Sequence, residues 1–188
     1  DTSQILGITL DLMARWSIGS EDVWFDFGGG GKQHVDILRA RGHTGIHLVG
    51  FGEAPAYPID EFKPKHEQVE EKESKYAYRN RRAELYGTLR SLLDPAANEQ
   101  VFGLPSEIMR RPRVDGGPSL RDQLEPLPMR YDGESRMYLP SKQKNKAKST
   151  EESLMDILGC SPDEADALVL AVWGQVDKKR EVVLRSMF

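Results

Sequence analysis

Hydrophobic side chains recur at helical spacing at the start of the chain. Ile5, Ile8, Leu12 and Trp16 follow one another at intervals of three or four residues, which places them on one stripe of a helix over residues 2–16. An apolar run at residues 23–27 comes next and ends in four consecutive glycines. That pattern is typical of a short buried strand followed by a turn.

A helix and a second strand follow the glycines. Residues 32–41 have Val35 and Leu38 at positions that predict an inward face, and Gly42 ends the helix. Residues 45–49 form another short apolar run. Strand, helix and strand in this order predict two parallel strands joined by a right-handed crossover.

The rest of the chain alternates irregular and helical patterns. Residues 54–74, with three prolines and many charges, predict a long irregular excursion. The elements predicted after it are a helix at 80–93, a short helix at 119–124 with Ser119 as its N-cap, a hairpin around Asp132-Gly133, a helix at 150–158 ended by Gly159, and a strong final helix opened by Ser161-Pro162-Asp163-Glu164. We predict one α/β domain over residues 1–174 and a charged, peripheral tail over 175–188.

Composition agrees with an ordinary globular domain. The chain has 188 residues, of which 38% are hydrophobic and 30% charged. No apolar run approaches the roughly 20 residues that cross a bilayer, and no secretion signal is recognisable. The single Cys160 excludes an internal disulfide and a Cys-based zinc site. These features lead us to expect a protein of a reducing cytoplasm.

Charge gives a mixed indication about nucleic acid. The net charge of −4 argues against a dedicated nucleic-acid binder, but local clusters matter more than the sum. Three basic clusters are present: Arg79, Arg81 and Arg82; Arg110, Arg111 and Arg113; and Lys142, Lys144, Lys146 and Lys148. Each cluster, taken alone, is also typical of a solvated surface.

Three aspartates are the candidate metal ligands. Asp26 ends a predicted buried strand, where a carboxylate is costly unless it is hydrogen-bonded or holds a cation. The alternative is that Asp26 accepts amide hydrogen bonds from the glycine loop and caps the next helix. Asp163 and Asp166 share a face in the first turn of the last helix, where acids also complement the helix dipole. Asp166 fits that alternative less well, because its neighbours are apolar. Mg²⁺ is usually held by one or two carboxylates with water and phosphate.

Other chemistry has less support. The sequence Gly28-Gly29-Gly30-Gly31-Lys32 departs from the phosphate-binding P-loop, because Gln33 stands where Ser or Thr is needed. The dinucleotide-binding pattern fails for want of its last glycine. The four histidines are scattered, without metal-ligand spacing, and no Ser/His/Asp arrangement can be argued.

Read together, four segments resemble the C-terminal nuclease domain of the large terminase subunit of tailed phages, the motor that packages the genome. The segments are VWFDFGGGGKQHVDILRARGHTGIHLVGFGEAP, YRNRRAELYGTLRSLL, LRDQLEPLPMRYD and SPDEADALVLAVW. Their order and spacing agree with that family from the first helix to about Gly174. The last segment is the most specific of the four.

The resemblance implies an RNase H-like fold, a mixed sheet flanked by helices, in which three carboxylates hold two Mg²⁺ or Mn²⁺ ions. Asp26 matches the second carboxylate and Asp166 the third, while Asp163 matches a position where some relatives carry a further acidic residue or His. The first carboxylate lies on a strand before the helix that begins this chain, and Asp1 does not replace it. We therefore expect a chain that is incomplete at its N-terminus and that also lacks the ATPase domain of its parent protein.

The function implied is endonucleolytic cutting of concatemeric viral DNA by two-metal phosphodiester hydrolysis, in the cytoplasm of the host cell. Arg81, Arg82, Lys142 and Lys144 are the predicted contacts to double-stranded DNA. The portal protein, the small terminase subunit and the separate ATPase domain are the predicted protein partners. Two alternatives remain: a resolvase-type or RNase H-type nuclease of the same fold, and a non-catalytic domain that docks on DNA or on the portal.

Overall fold

The structure is a computed structural model of the chain, and it describes residues 2–56, 77–96, 102–113, 115–143 and 151–186. The protein is mixed α/β. In chain order the elements are α1 (Thr2–Trp16), a 3₁₀ turn (Ser20–Asp22), β1 (Trp24–Asp26), α2 (Gly31–Ala40), β2 (His47–Val49), α3 (Arg81–Leu93), α4 (Ser106–Met109), α5 (Leu120–Leu124), β3 (Arg130–Tyr131), β4 (Met137–Tyr138), α6 (Leu154–Leu158) and α7 (Asp163–Ser186). Most of the predicted excursion at 54–74 lies outside the described residues, as does Lys144.

The chain divides into two compact units. The first comprises residues 1–51 and 170–188, and the second comprises residues 52–169. The sequence predicted one domain over 1–174 and showed no linker at residue 51. Each unit has its own small sheet and is described by itself below.

The first unit is built around a parallel strand pair. β1 pairs with β2 in the register Trp24 to His47 and Asp26 to Val49, so the predicted strand–helix–strand segment is confirmed with strands slightly shorter than expected. Val35 and Leu38 of α2 are fully buried, as the periodicity predicted. They join Leu6 and Ile46 in the core of this unit.

α1 has the predicted bounds, but the stripe that predicted it is its exposed face. Ile8 is 59% and Trp16 70% exposed, whereas Leu6 and Met13 are buried. Leu6, Leu10 and Met13 also recur at helical spacing, so the helix is apolar on two sides. It is this second stripe that packs into the core with α2.

The second unit gathers the short helices and the hairpin. Asn80 caps α3, its side chain accepting a hydrogen bond from the amide of Ala83. β3 and β4 form the antiparallel hairpin predicted around Asp132-Gly133. Ser119 caps α5 with a capping box, as predicted. A second capping box at Ser153 starts α6 at Leu154, later than the predicted residue 150, which itself lies outside the described part of the chain.

Two helices differ from the sequence-based expectation. α4, a helix of four residues, was not predicted. α7 continues to Ser186, beyond Gly174, where the domain was predicted to end and a tail to begin. Within the described residues, no helix combines the length and apolarity needed to cross a membrane.

Candidate functional site

Asp166 is a buried carboxylate in the first turn of α7. Its side chain is buried, with 7% of the residue exposed. Two residues of α3 donate hydrogen bonds to one of its carboxylate oxygens. Arg82 Nη2 lies 2.9 Å and the Tyr86 hydroxyl 2.7 Å from Asp166 Oδ1. Arg82 and Tyr86 are four residues apart and therefore share one face of α3. The second unit thus fixes the Asp166 carboxylate between two of its helices.

A lysine joins Asp166 to Asp163. Lys142 follows the β3–β4 hairpin, and its Nζ lies 2.8 Å from Asp163 Oδ1 and 3.2 Å from Asp166 Oδ2. Asp163 also accepts a hydrogen bond from the Ser161 hydroxyl at 2.5 Å. The two carboxylates, three residues apart on one helix, therefore converge on a single cationic group.

The pKa values of the surrounding groups follow from this arrangement. Burial, reinforced by the negative charge of Asp166, raises the pKa of Tyr86 far above its usual value, so that its hydroxyl stays protonated and donates. Partial desolvation opposes ionisation of Asp163, but the hydrogen bonds from Lys142 and Ser161 outweigh it and lower the pKa of Asp163. Partial burial likewise works against the charge on Lys142, but its two carboxylate partners raise its pKa.

The pair Asp163 and Asp166 has the donor chemistry of a hard-cation site. Two carboxylates already meet at one positive charge, and the Lys142 ammonium is carried by a long, partly exposed side chain that can move aside. Within the described part of the chain, no group of three or more His, Cys, Asp or Glu side chains is arranged to hold a metal ion. An ion at this pair would therefore complete its coordination with water or substrate phosphate, as Mg²⁺ commonly does.

Asp26 belongs to the first unit, where it ends β1. Its Oδ1 accepts a hydrogen bond from the amide of Gly28 at 3.1 Å, as the alternative interpretation of this residue anticipated. Asp26 does not cap α2, however, because the N-cap residue is Gly30 and no side chain in the described part of the chain caps this helix end. The chain then turns through Gly29 and Gly30 with φ of +59° and +90°, values that favour glycine. At Gly31 a Cβ would overlap the carbonyl oxygen of Asp26, so the glycine permits α2 to start against the end of β1.

Asp26 Oδ2 has no hydrogen-bond donor among the residues that the structure describes. One oxygen of this half-buried carboxylate is thus free to accept a further donor or a cation. The structure therefore brings Asp163 and Asp166 together in the second unit and places Asp26 in the first.

The side chains predicted to contact DNA differ in how exposed they are and in whether a carboxylate already neutralises their charge. Arg82 is buried and bonded to Asp166. Arg81 is mostly buried and lies 3.3 Å from the Glu84 carboxylate. Lys142 is partly exposed, and Lys144 lies outside the described residues. Arg82 is consequently placed to position Asp166, and Lys142 is the described candidate best placed to reach a phosphate.

Two residues of the site were missed by sequence reasoning. Tyr86 was not among the predicted site residues, although its spacing from Arg82 is the signal that would have paired them. Gln123 of α5 is fully buried, and its side-chain oxygen accepts from the amide of Ala165 at 3.3 Å, which helps to cap α7. No sequence pattern indicates that contact, because it joins residues 42 positions apart.

Comparisons with protein-family models, with curated proteins and with solved structures find no match for this chain.

Proposed function

We propose that this chain belongs to an RNase H-like, metal-dependent DNA endonuclease domain of the large subunit of a viral genome-packaging terminase. The observation that carries the proposal is the convergence of Asp163 and Asp166 on one cationic group, Lys142. Carboxylates that converge on one cation have the chemistry to hold the metal ions that hydrolyse phosphodiesters in metal-dependent nucleases. The family assignment itself depends on the resemblance of the four sequence segments.

The local fold is compatible with this assignment. An RNase H-like domain places acids at strand ends and helix starts, and Asp26 ends β1 while Asp163 and Asp166 begin α7. The first of the four segments forms a parallel strand pair, β1 and β2, with a glycine-rich turn after Asp26. This local structure supports the proposal. Asp26 is proposed as a further metal ligand through its free oxygen.

The roles of the chain's own groups follow from their contacts. Asp163 and Asp166 would hold a divalent ion. Such ions, when bound, activate water for in-line attack and stabilise the leaving 3′ oxygen. Arg82 and Tyr86 hold the Asp166 carboxylate in place through their hydrogen bonds to Oδ1. Lys142, once displaced from the two carboxylates, is long enough to contact a DNA phosphate without reading its sequence.

The partners belong to the same proposal. Double-stranded DNA is the substrate, and the portal protein, the small terminase subunit and the ATPase domain of the parent protein are the proposed neighbours on the packaging motor. The host cytoplasm is the proposed location. Cutting of concatemeric DNA would then begin and end each round of packaging.

One observation favours a second candidate, a non-catalytic docking domain. Both oxygens of Asp166 already have donors, Arg82 and Tyr86 on one and Lys142 on the other. A buried ion pair of this kind can serve stability or structural specificity alone. In that case the basic residues would bind DNA or the portal, and the acids would hold no metal.

Metal binding separates the two candidates before any activity is measured. Mn²⁺ is titrated into the chain and into Asp163→Asn, with Asp36→Asn as the matched control, because Asp36 is an exposed acid paired with a lysine on α2. The nuclease proposal predicts that Asp163→Asn weakens Mn²⁺ binding by at least about tenfold. It also predicts that Lys142→Met binds Mn²⁺ as tightly or more tightly, since the competing ammonium is gone.

Plasmid cleavage then tests the reaction. Nicking of supercoiled DNA that requires Mn²⁺, stops with EDTA and is lost in Asp26→Asn and Asp166→Asn is the expected result, with circular dichroism confirming that the variants are folded. A chain that binds no Mn²⁺, or whose binding is the same in Asp163→Asn, contradicts the nuclease proposal and favours the docking domain.

A further inference from the structure

The second unit contains an apolar groove, and of the residues that line it only Tyr86 has a role in the proposed chemistry. It has a volume of about 890 Å³ and lies among α3, α4, α5 and the segment around β3. Its walls are mainly aliphatic and sulfur-containing side chains: Leu89, Leu93, Met109, Leu124, Leu127 and Met129. Methionine adapts its shape easily and is common in surfaces that bind apolar side chains of a partner.

The groove is open along its edge. Leu93 is 36% and Tyr131 63% exposed, although both line it. A pocket for a small apolar molecule usually encloses most of its ligand. An exposed apolar surface bordered by polar residues is instead typical of a site for another polypeptide.

The charges around the groove indicate what that polypeptide carries. Arg90, Arg110 and Arg121 all line it. Arg121 is paired with Glu125, but within the described ranges neither Arg90 nor Arg110 has a carboxylate partner. The polar contact of the Arg90 guanidinium is to the sulfur of Met129. Two uncompensated guanidinium groups beside an apolar surface complement an acidic partner.

The neighbouring elements favour a helical partner over an extended one. β3 has two residues, which is too short an edge to pair with an added strand. The walls of the groove come mainly from helices and from Leu and Met side chains, the setting in which an amphipathic helix inserts its apolar face. We propose that this groove binds an acidic amphipathic helix of a protein partner, with apolar residues at positions i, i+3 or i+4, and i+7, and with Asp or Glu beside them. The proposal does not depend on the nuclease function.

The test uses the full chain and a fluorescein-labelled helical peptide of about 18 residues, five turns, with Leu at those positions and Glu at the flanking ones. Fluorescence anisotropy measures its affinity, and backbone amide shifts in NMR spectra locate its site. A matched peptide with Lys in place of Glu is the charge control. The expected result is saturable binding of the Glu peptide that shifts the amides of Leu89 and Leu124, with at least tenfold weaker binding of the Lys peptide.

Variants of the chain confirm the site. Arg90→Gln and Arg110→Gln should each weaken binding by about two- to fivefold, while Arg111→Gln, an exposed neighbour outside the groove, should leave it unchanged. Leu93→Glu should weaken it more than tenfold by placing a negative charge in the apolar wall. Equal binding of the two peptides, shifts at other amides, or wild-type affinity in the groove variants would each overturn the proposal. Single-stranded DNA or anionic vesicles that shift the groove amides when the Glu peptide does not would overturn it as well.

Discussion

Asp166 is a carboxylate to which water has little access. The hydrogen-bond donors around it offset the free-energy cost of burying this group. Arg82 and Tyr86 approach one oxygen, and Lys142 approaches the other. Removal of one partner from a buried ion pair leaves an uncompensated charge, which costs more than the pair itself contributes. The Arg82 guanidinium is the most buried positive charge in the set, so we expect it to matter most.

Arg82→Leu should therefore lower the free energy of unfolding by about 3–5 kcal/mol, measured by urea denaturation. Arg121→Leu is the matched control, since it breaks an exposed pair with Glu125 and should change stability by less than about 1 kcal/mol. The double variant Arg82→Leu/Asp166→Leu should recover part of the loss, because no charge is then left buried. A double variant that is as unstable as Arg82→Leu would show that the packing of Arg82 matters and its charge does not.

The contact between Lys142 and Asp163 gives stability that depends on pH. The pKa of Asp163 is lowered in the folded chain, so its contribution is present above its unfolded pKa and is lost as pH falls through the lowered folded value. The pKa of Lys142 is raised, so its contribution is present below its unfolded pKa and is lost as pH rises through the raised value. The contribution therefore spans roughly pH 5 to pH 9.

We expect Lys142→Met to be less stable than the wild-type chain by up to about 1 kcal/mol across that range. Urea denaturation at several pH values should show the difference shrinking in acid, where Asp163 becomes protonated. Lys32→Met, which breaks the exposed pair with Asp36, serves as the control for a generic loss of charge. A difference between the chain and Lys142→Met that stays constant from neutral pH into acid would contradict this account.

The distinct character of Asp166 could be predicted from sequence, but its partners could not. Its apolar neighbours in the last helix set it apart from an acid that only complements the helix dipole, but they did not indicate which hydrogen-bond donors it would meet. The donors come from α3 and from the segment after β4, many residues away along the chain. The spacing of Tyr86 from Arg82 pairs these two residues on α3, but only tertiary packing brings them to Asp166. No sequence pattern indicates the contact of Gln123 with Ala165.

At the scale of elements, α1 shows that a sequence pattern can predict a helix without predicting which of its faces is buried. Two apolar stripes run along this helix, and periodicity alone gives them nearly equal weight. Leu6 and Met13 are buried, while Ile5, Ile8 and Leu12 are exposed. The packing of α1 against α2 selects the face, and that selection depends on the shape of the partner element.

Leu6→Ala should consequently destabilise the chain by about 2–5 kcal/mol, since it leaves a cavity in the core of the first unit. Ile8→Ala removes a side chain of similar size from the exposed stripe and should cost less than about 0.5 kcal/mol beyond the small difference in helix propensity. Thermal or urea denaturation of the two variants provides the comparison. Equal losses, or a larger loss for Ile8→Ala, would mean that the exposed stripe is covered in solution.

Helix ends were predictable where a cap is written in the local sequence. Ser119 and Gly159 mark the start of α5 and the end of α6 as expected. The end of α7 was not predictable in this way, because the charged residues after Gly174 are good helix formers with no proline among them. The composition of this charged segment is typical of a chain terminus, but its residues have a high propensity for helix. In the structure α7 continues through it.

At the scale of the whole molecule, composition and charge constrained the class of protein more than its organisation. The mixed α/β character followed from the order of the predicted elements. The division into two units did not, because residue 51 lies in an ordinary glycine turn and the first unit is completed by residues 170–188. Units assembled from distant segments leave no composition change at their boundaries.

The net charge of −4 also bears on the proposed binding of DNA. Long-range attraction to an acidic protein is weak, so binding must come from a few local cations, and each phosphate contact releases counterions. In EDTA, the Lys142 ammonium remains on Asp163 and Asp166. With Ca²⁺ on those carboxylates, Lys142 would be free to contact a phosphate.

We therefore expect the slope of log affinity for double-stranded DNA against log salt to fall in magnitude by about 0.9 in Lys142→Met when Ca²⁺ is present. In EDTA the same substitution should change the slope little, because the ammonium is already neutralised by the two acids. Lys32→Met, an exposed lysine of α2, is the control in both buffers. If Lys32→Met lowers the slope and Lys142→Met does not, DNA binds on another surface, and the link between the acidic pair and the phosphate backbone is lost.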